Sequence, residues 1–524
     1  MIFRSPYPDV TIPSMPVASS VLRPAVRRGD KLALVNGVTG SRLTYGQLAD
    51  AVARMAGGLG ARGFRKGEVL ASFVPNCPEF VIALYAVLSL GGVVTAANPV
   101  LTAEELAVQL DDAGATFLLT VPDCLDRALA AAGRSSVREV FVIGEAPGAI
   151  PFAALLDHGH DPPVVAIDPR HDLAVLPYSS GTTGLPKGVE LTHANLVANV
   201  AQIAAVEPVT DADILIGVLP FFHVYGMTVL LNYALSVGAT VVTVPRFDLE
   251  SFLQTMQTFG VTYAYLAPPI VLALAKQPMV EQYDLSRLRF ITCGAAPLSS
   301  DVAIACAARL GCRVKQGYGL TEASPVTHLT PPTADDGKTA SVGPLLPNTE
   351  GKIVDPATGA ALGVGEQGEI WVRGPQVMRG YLGRPEATAA MIDGEGWLRT
   401  GDIGRADADG SFFIVDRLKE LIKVKGFQVA PAELEGILLA HPAVADAAVI
   451  PSPDEDAGEV PKAFVVLKGE ATPEDLMAFV AVRVAPYKKV RRLEFLDDIP
   501  KSASGKILRR VLVERERAKD LVPG

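Results

Sequence analysis

Eleven consecutive residues, Ser179-Ser180-Gly181-Thr182-Thr183-Gly184-Leu185-Pro186-Lys187-Gly188-Val189, combine the groups that hold a phosphate. Small residues let backbone N–H groups approach an anion, the hydroxyls add donors, and Lys187 adds positive charge. The run directly follows the apolar stretch Leu173–Pro177. It is not a Walker A loop, because no Lys-Ser/Thr pair follows a second glycine at the required spacing. Three glycines alone would describe a flexible turn; the full string points to phosphate binding.

Other polar groups stand where chemistry is possible, and each also has a plainer reading. Thr321-Glu322, after the turn-rich Gln316-Gly317-Tyr318-Gly319-Leu320, offers a hydroxyl donor and a carboxylate for a hard cation, or caps a helix. Asp402, after Gly401, has only acceptors, which suits a sugar diol or a turn. Asp416-Arg417 could be a surface ion pair of little energetic value. His223, in Pro220-Phe221-Phe222-His223-Val224-Tyr225-Gly226, has the surroundings of a core histidine. Lys423 and Lys425 read as a solvated charge run, and Lys506 follows Gly505 in a basic tail.

These groups need a scaffold of more than one core. The chain has 524 residues, beyond the size at which a single core stops growing. It is 49% hydrophobic and 20% charged, as globular chains are. A net charge of −10 argues against a nucleic-acid or anionic-membrane binder. The five cysteines form no Cys-x-x-Cys pair, which fits neither a disulfide framework nor a zinc site and suits a reducing cytoplasm. Met1–Pro16 carries prolines and acids where a secretory leader needs an apolar run.

Continuously apolar runs predict strands covered on both faces at Val69–Val74, Leu173–Pro177, Ile214–Leu219, Thr240–Val244, Tyr263–Leu266 and Leu288–Thr292. Phe80–Ala97 is expected to be a buried helix running into a buried strand, since Gly91-Gly92 splits it and Asn98-Pro99 closes it. Thr102 with Glu105 predicts a helix start, as do Pro431 and Thr472. After Pro344 the segments shorten into alternating strands such as Gly368–Arg373, and after Asp416 into short α/β elements. The expected fold is α/β. A large N-terminal domain of layered sheets and helices, with a small β-rich subdomain, covers 1–416, and a small mobile α/β domain covers 417–524.

The phosphate-binding string resembles that of the adenylate-forming superfamily, which includes acyl- and aryl-CoA ligases, luciferase and peptide-synthetase adenylation domains. Gln316–Glu322 resembles its second nucleotide motif, Trp397 with Gly401-Asp402 its ribose segment, Asp416–Lys423 its hinge, and Ser504-Gly505-Lys506 its catalytic-lysine loop. Leu43-Thr44-Tyr45 resembles its N-terminal region, and the motifs fall in the family's order. The resemblance implies that ATP and an acid give an acyl-adenylate, which CoA then attacks, with Mg2+ at Glu322. Lys506, His223 and Thr321 would be catalytic. ATP or AMP would be held by Ser179, Ser180, Gly181, Thr182, Thr183, Gly184, Lys187, Ala295, Gln316, Gly317, Tyr318, Thr321, Asp402, Arg417, Lys419, Lys423, Gln428 and Lys506. Lys419 would be the hinge about which the C-terminal domain rotates between half-reactions, and Arg246, Lys425 and Gly426 would border CoA.

Leu219–Tyr225, Pro245–Asp248, Cys293–Pro297 and Lys419–Glu433 are most similar to the 4-coumarate:CoA ligase and aryl-CoA ligase branch. By position the acyl pocket would be lined by Tyr225, Val229, Thr292, Ala295, Gly317, Gly319, Pro325 and Val326, a flat slot suited to an aromatic ring. Val229 and Thr292 depart from the small residue and the methionine of plant coumarate ligases, which makes cinnamate and benzoate candidates beside 4-coumarate. A medium-chain fatty acyl-CoA ligase and a free-standing enzyme that loads a carrier protein are the alternatives. A cytoplasmic monomer or homodimer acting on small molecules is expected, with neither nucleic acid nor membrane as partner.

Overall fold

The computed structural model describes residues 1–157, 159, 161–179, 186–333, 338–425, 427–454 and 456–520, without the side chains of 25, 26 and 518–520. Of the positions singled out above, Ser180, Gly181, Thr182, Thr183, Gly184 and Gly426 lie outside the described residues.

The continuously apolar runs form parallel strands. Val69–Phe73 is buried throughout and pairs in parallel with Val93–Ala96 and Ala115–Thr120. A second sheet aligns Ile214–Gly217, Thr240–Thr243, Tyr263–Leu266, Phe290–Cys293 and Arg313–Gly319, also in parallel. Strands buried on both faces have no polar side to show, which is why the sequence runs apolar instead of alternating. One apolar core joins Leu70 and Phe117 of the first sheet, Leu34 and Leu215 of the second, and Leu48, Leu84 and Leu196 from helices. The helix Pro78–Ser89 and the strand Val93–Ala96 both lie in this interior, as expected of Phe80–Ala97. Among the described residues no helix is long and apolar enough to cross a membrane.

Glu350–Val354, Gly368–Arg373, Leu398–Ala406 and Phe412–Arg417 form an antiparallel sheet, whose edge is completed by Phe3–Arg4 from the start of the chain. The last strand of this sheet runs through Arg417, so the change of sheet falls at Leu418–Leu421. A final sheet contains Ile422–Val424, Phe427–Val429, Val444–Asp454, Gly458–Leu467 and Arg492–Phe495. The helix starts carry the expected caps. Thr102 and Glu105 form a capping box ahead of Ala103–Asp112, Thr472 and Asp475 another ahead of Pro473–Ala481, and Pro431 opens Pro431–Ala440.

Candidate active site

The parallel register of three strands builds one wall of a cavity. Tyr265 stands beside Thr292, and Thr292 beside Lys315. Side chains alternate along a strand, so Tyr263 and Tyr265, Thr292, Lys315, Gly317 and Gly319 share a face. His223, Tyr225 and Val229 line the cavity as well, where the chain enters a π-helical turn over Gly226–Tyr233. Two glycines permit this packing. A Cβ on Gly226 would lie 2.3 Å from the Pro220 carbonyl oxygen, and one on Gly319 2.2 Å from that of Pro325.

Tyr225, Val229, Thr292, Ala295, Gly317, Gly319, Pro325 and Val326 all line this one cavity. Ile203, Glu207, Tyr265, Gly294, Leu320 and Leu329 line it too, and sequence reasoning had not found them. Ala295 sits in the left-handed region at φ 74°, which strains a residue with a Cβ by roughly 1–2 kcal/mol. Such strain is characteristic of sites that shape a ligand pocket.

His223, Thr321 and Lys506 line the same cavity, although Lys506 belongs to the C-terminal sheet's domain. Gly505 packs its backbone against Ala267 and Pro269, where a Cβ would have only 3.1 Å. Lys276 ties the two parts together by donating to the Leu439 carbonyl at 2.6 Å, at the end of Pro431–Ala440. Burial pushes the His223 imidazole down to about 3, and the nearby Lys506 ammonium pushes the same way. The His223 Nδ1 accepts from the Tyr225 N–H at 3.2 Å, so the neutral ring carries its proton on Nε2. Desolvation and the Arg417 guanidinium lower the Lys506 ammonium, while Asp402, Glu322 and Glu420 oppose them. A cation flanked by carboxylates in a partly dry site is well placed to meet a polyanion.

Around that lysine lies a polar cluster. Asp402 accepts from the Tyr318 hydroxyl at 2.6 Å and pairs with Arg417 at 3.3 Å. Burial raises the Asp402 carboxyl, and Arg417 counters it. Glu322 accepts from the Tyr381 hydroxyl at 2.9 Å, and the Lys187 ammonium stands 5.0 Å from the Tyr381 ring centre. Ser179 faces Lys187 across a two-stranded pairing. Gln316 turns its amide to the Leu298 and Thr339 carbonyls and does not line the cavity. Lys419, Lys423, Lys425, Gln428 and Arg246 are exposed outside it, with Lys423 opposite Gln428 in the strand pairing.

A family model described as AMP-binding enzyme matches residues 22–382, and its C-terminal domain model matches 433–506. The chain belongs to the AMP-binding enzyme family. Among the relatives of this family member, 4-coumarate--CoA ligase 1 of Petroselinum crispum is 43% identical, covering 99% of this chain and 98% of its own. The solved structure of an anthranilate CoA ligase in complex with anthranoyl-AMP superposes with a TM-score of 0.91 at 27% identity, covering 98% of this chain and 99% of its own. A benzoate CoA ligase from Burkholderia xenovorans superposes with a TM-score of 0.86 at 26% identity, covering 95% and 99%. This family member is an AMP-forming acid–thiol ligase that uses ATP, Mg2+ and CoA. Among the described residues no group of three or more His, Cys, Asp or Glu side chains is placed to hold a metal ion. One carboxylate, Glu322, beside the cluster fits a cation that travels with the nucleotide's phosphates, the usual habit of Mg2+.

Proposed function

We propose that this enzyme is an aryl carboxylate:CoA ligase, converting ATP, an aromatic acid and CoA into aryl-CoA, AMP and pyrophosphate through an acyl-adenylate. One observation carries the aromatic reading. The cavity is lined by Lys506 and Thr321 together with Gly294, Ala295, Gly317, Gly319, Tyr225 and Val229. Walls without side chains leave a flat slot, the shape of a ring. The relatives named above, ligases of 4-coumarate, anthranilate and benzoate by their descriptions, support the same class.

The residues have definable work in this reaction. A carboxylate is a poor acyl donor, and its attack on the α-phosphate of ATP is opposed mainly by crowded negative charge. Catalysis is therefore positioning and cation supply. Lys506 draws the carboxylate and α-phosphate oxygens together, Thr321 donates to the phosphate, and Asp402 accepts from the ribose diol. The neutral His223 donates from Nε2 and holds the acyl carboxylate without a second fixed charge. Mg2+, held through Glu322, neutralises phosphate charge when bound. Thiol attack then expels AMP. Because Lys506 would block that approach, the C-terminal domain pivots near Lys419 and presents Lys425 and Gly426 towards CoA, with Arg246 meeting its phosphate.

Comparing kcat/KM for benzoate, cinnamate, 4-coumarate and octanoate tests the class. An aromatic acid should lead; octanoate in front would sink the proposal.

A further inference from the structure

Beneath the acyl cavity lies a buried ion pair that the reaction does not use. The Glu207 side chain is fully enclosed and that of Lys315 is 5% exposed. Lys315 donates to Glu207 Oε2 at 2.6 Å and to the Thr330 carbonyl at 3.2 Å. The Tyr263 hydroxyl donates to the same Oε2 at 2.6 Å. Burying two charges is costly unless every acceptor is met, so the protons around Glu207 can be accounted for one by one.

That accounting leaves a gap. The Thr292 hydroxyl lies 2.7 Å from that of Tyr263, and either can donate to the other. Thr292 also lies 3.4 Å from Glu207 Oε1, which has no closer partner among the described residues. Whichever way the two hydroxyls point, Glu207 Oε1 receives at most this one long contact among the described residues. A carboxylate oxygen can accept more than that, and Glu207 and Thr292 both line the cavity. Tyr265 lines it as well, and its buried hydroxyl has no partner among the described residues. Glu207 Oε1, an acceptor only, suits a neutral donor. Lys315 already balances the carboxylate, so a cationic ligand would add an uncompensated charge, while a hydroxyl or aryl amine would complete the set.

We propose that Glu207, held by Lys315 and Tyr263, is a specificity residue that demands a hydrogen-bond donor on the acyl group away from its reacting carboxylate. The inference deepens the aryl-CoA ligase reading and rests on the cavity being the acyl pocket. The favoured acids then carry a hydroxyl or amino group on the ring, and equally shaped acids with methyl or methoxy there are rejected. A hydrogen bond to a charged acceptor, with the penalty of leaving it unmet, corresponds to about a 10- to 100-fold preference.

The test measures acid-dependent ATP–pyrophosphate exchange with benzoates and cinnamates bearing 4-hydroxyl, 4-amino, 4-methyl or 4-methoxy groups. Wild type should favour the first two by at least about tenfold in kcat/KM. The double variant Glu207→Met, Lys315→Met removes both charges and the acceptor at similar volume, and the hydroxyl-to-methyl ratio should collapse towards one. Any loss common to both acids cancels in that ratio. Equal use of the four ring acids by wild type overturns the proposal even if the variant does not fold. So does a folded variant that keeps the wild-type ratio. If every aromatic acid fails and an aliphatic acid succeeds, the aryl reading is what falls. An ω-hydroxy acid measured against its ω-methyl analogue then decides Glu207 separately.

Discussion

Lys276→Met should shift the enzyme between its two half-reactions without touching either set of reacting groups. The Lys276 ammonium reaches from the helix Pro268–Lys276 to the Leu439 carbonyl at 2.6 Å, with the Val444 carbonyl at 3.5 Å. A hydrogen bond from a charged donor contributes about 1.5–3 kcal/mol, and cations favour a helix C-terminus by about 0.3–1 kcal/mol more. Lys276 is only part-buried, so solvent screening reduces the sum to about 1–2 kcal/mol. That stabilisation belongs to the arrangement in which Lys506 sits in the cavity. Removing it lowers the population of that arrangement roughly 5- to 30-fold wherever the two are nearly balanced. Methionine keeps the aliphatic stem packed, so the fold should hold. ATP–pyrophosphate exchange should fall by that factor, while CoA attack on supplied acyl-AMP holds or rises. Equal loss in both assays, or no loss in either, refutes the reasoning.

Lys506→Ala should lower adenylate formation by about 100-fold or more, and thioester formation from supplied acyl-AMP far less; Lys425→Ala should invert that pattern, and separate rate measurements decide both. Acid should destabilise the fold through His193 and His328, fully buried and pushed down to about 4 and about 3. Unfolded histidine titrates near 6.5, so the unfolded chain binds more protons between these values. The associated stability is whole above that pH and is lost as pH falls towards 4, amounting to about 4 kcal/mol for the pair at pH 5; denaturant midpoints at pH 7 and pH 5 measure it. Gly319→Ala should destabilise the protein by about 1–3 kcal/mol and raise KM for the acid, because its Cβ must displace the Pro325 backbone. Thermal unfolding and KM together check it.

Local rules carried much of the fold. The strand Tyr263–Leu266 occupies the predicted residues, and Thr102, Pro431 and Thr472 start helices where their side chains said they would. Each signal acts within four residues, which is why one sequence suffices. Tyr225, Val229, Thr292 and the other expected cavity residues were legible only through family resemblance, because segments far apart in the chain supply them. What stayed hidden is long-range pairing. Glu207 and Lys315 are 108 positions apart, and neither carries a local mark of its partner. Tyr318 finds Asp402 across 84 positions. The strand Phe3–Arg4 is too short to show a period, and it docks on Glu350–Val354. The π-helical turn at Gly226–Tyr233 obeys neither the helical nor the strand repeat, so an apolar stretch there gave no register.

The Glu207–Lys315 pair also bears on how such an enzyme acquires a new substrate. Losing either partner alone strands a dry charge, at a cost of about 3–5 kcal/mol, a large share of a protein's total stability. Replacing both together is far milder. A lineage drifting by single substitutions therefore meets a valley at these two positions, whereas Val229 and the other apolar neighbours can change one at a time. Preference for the size of the acid is free to wander, while preference for its polarity is inherited as a unit.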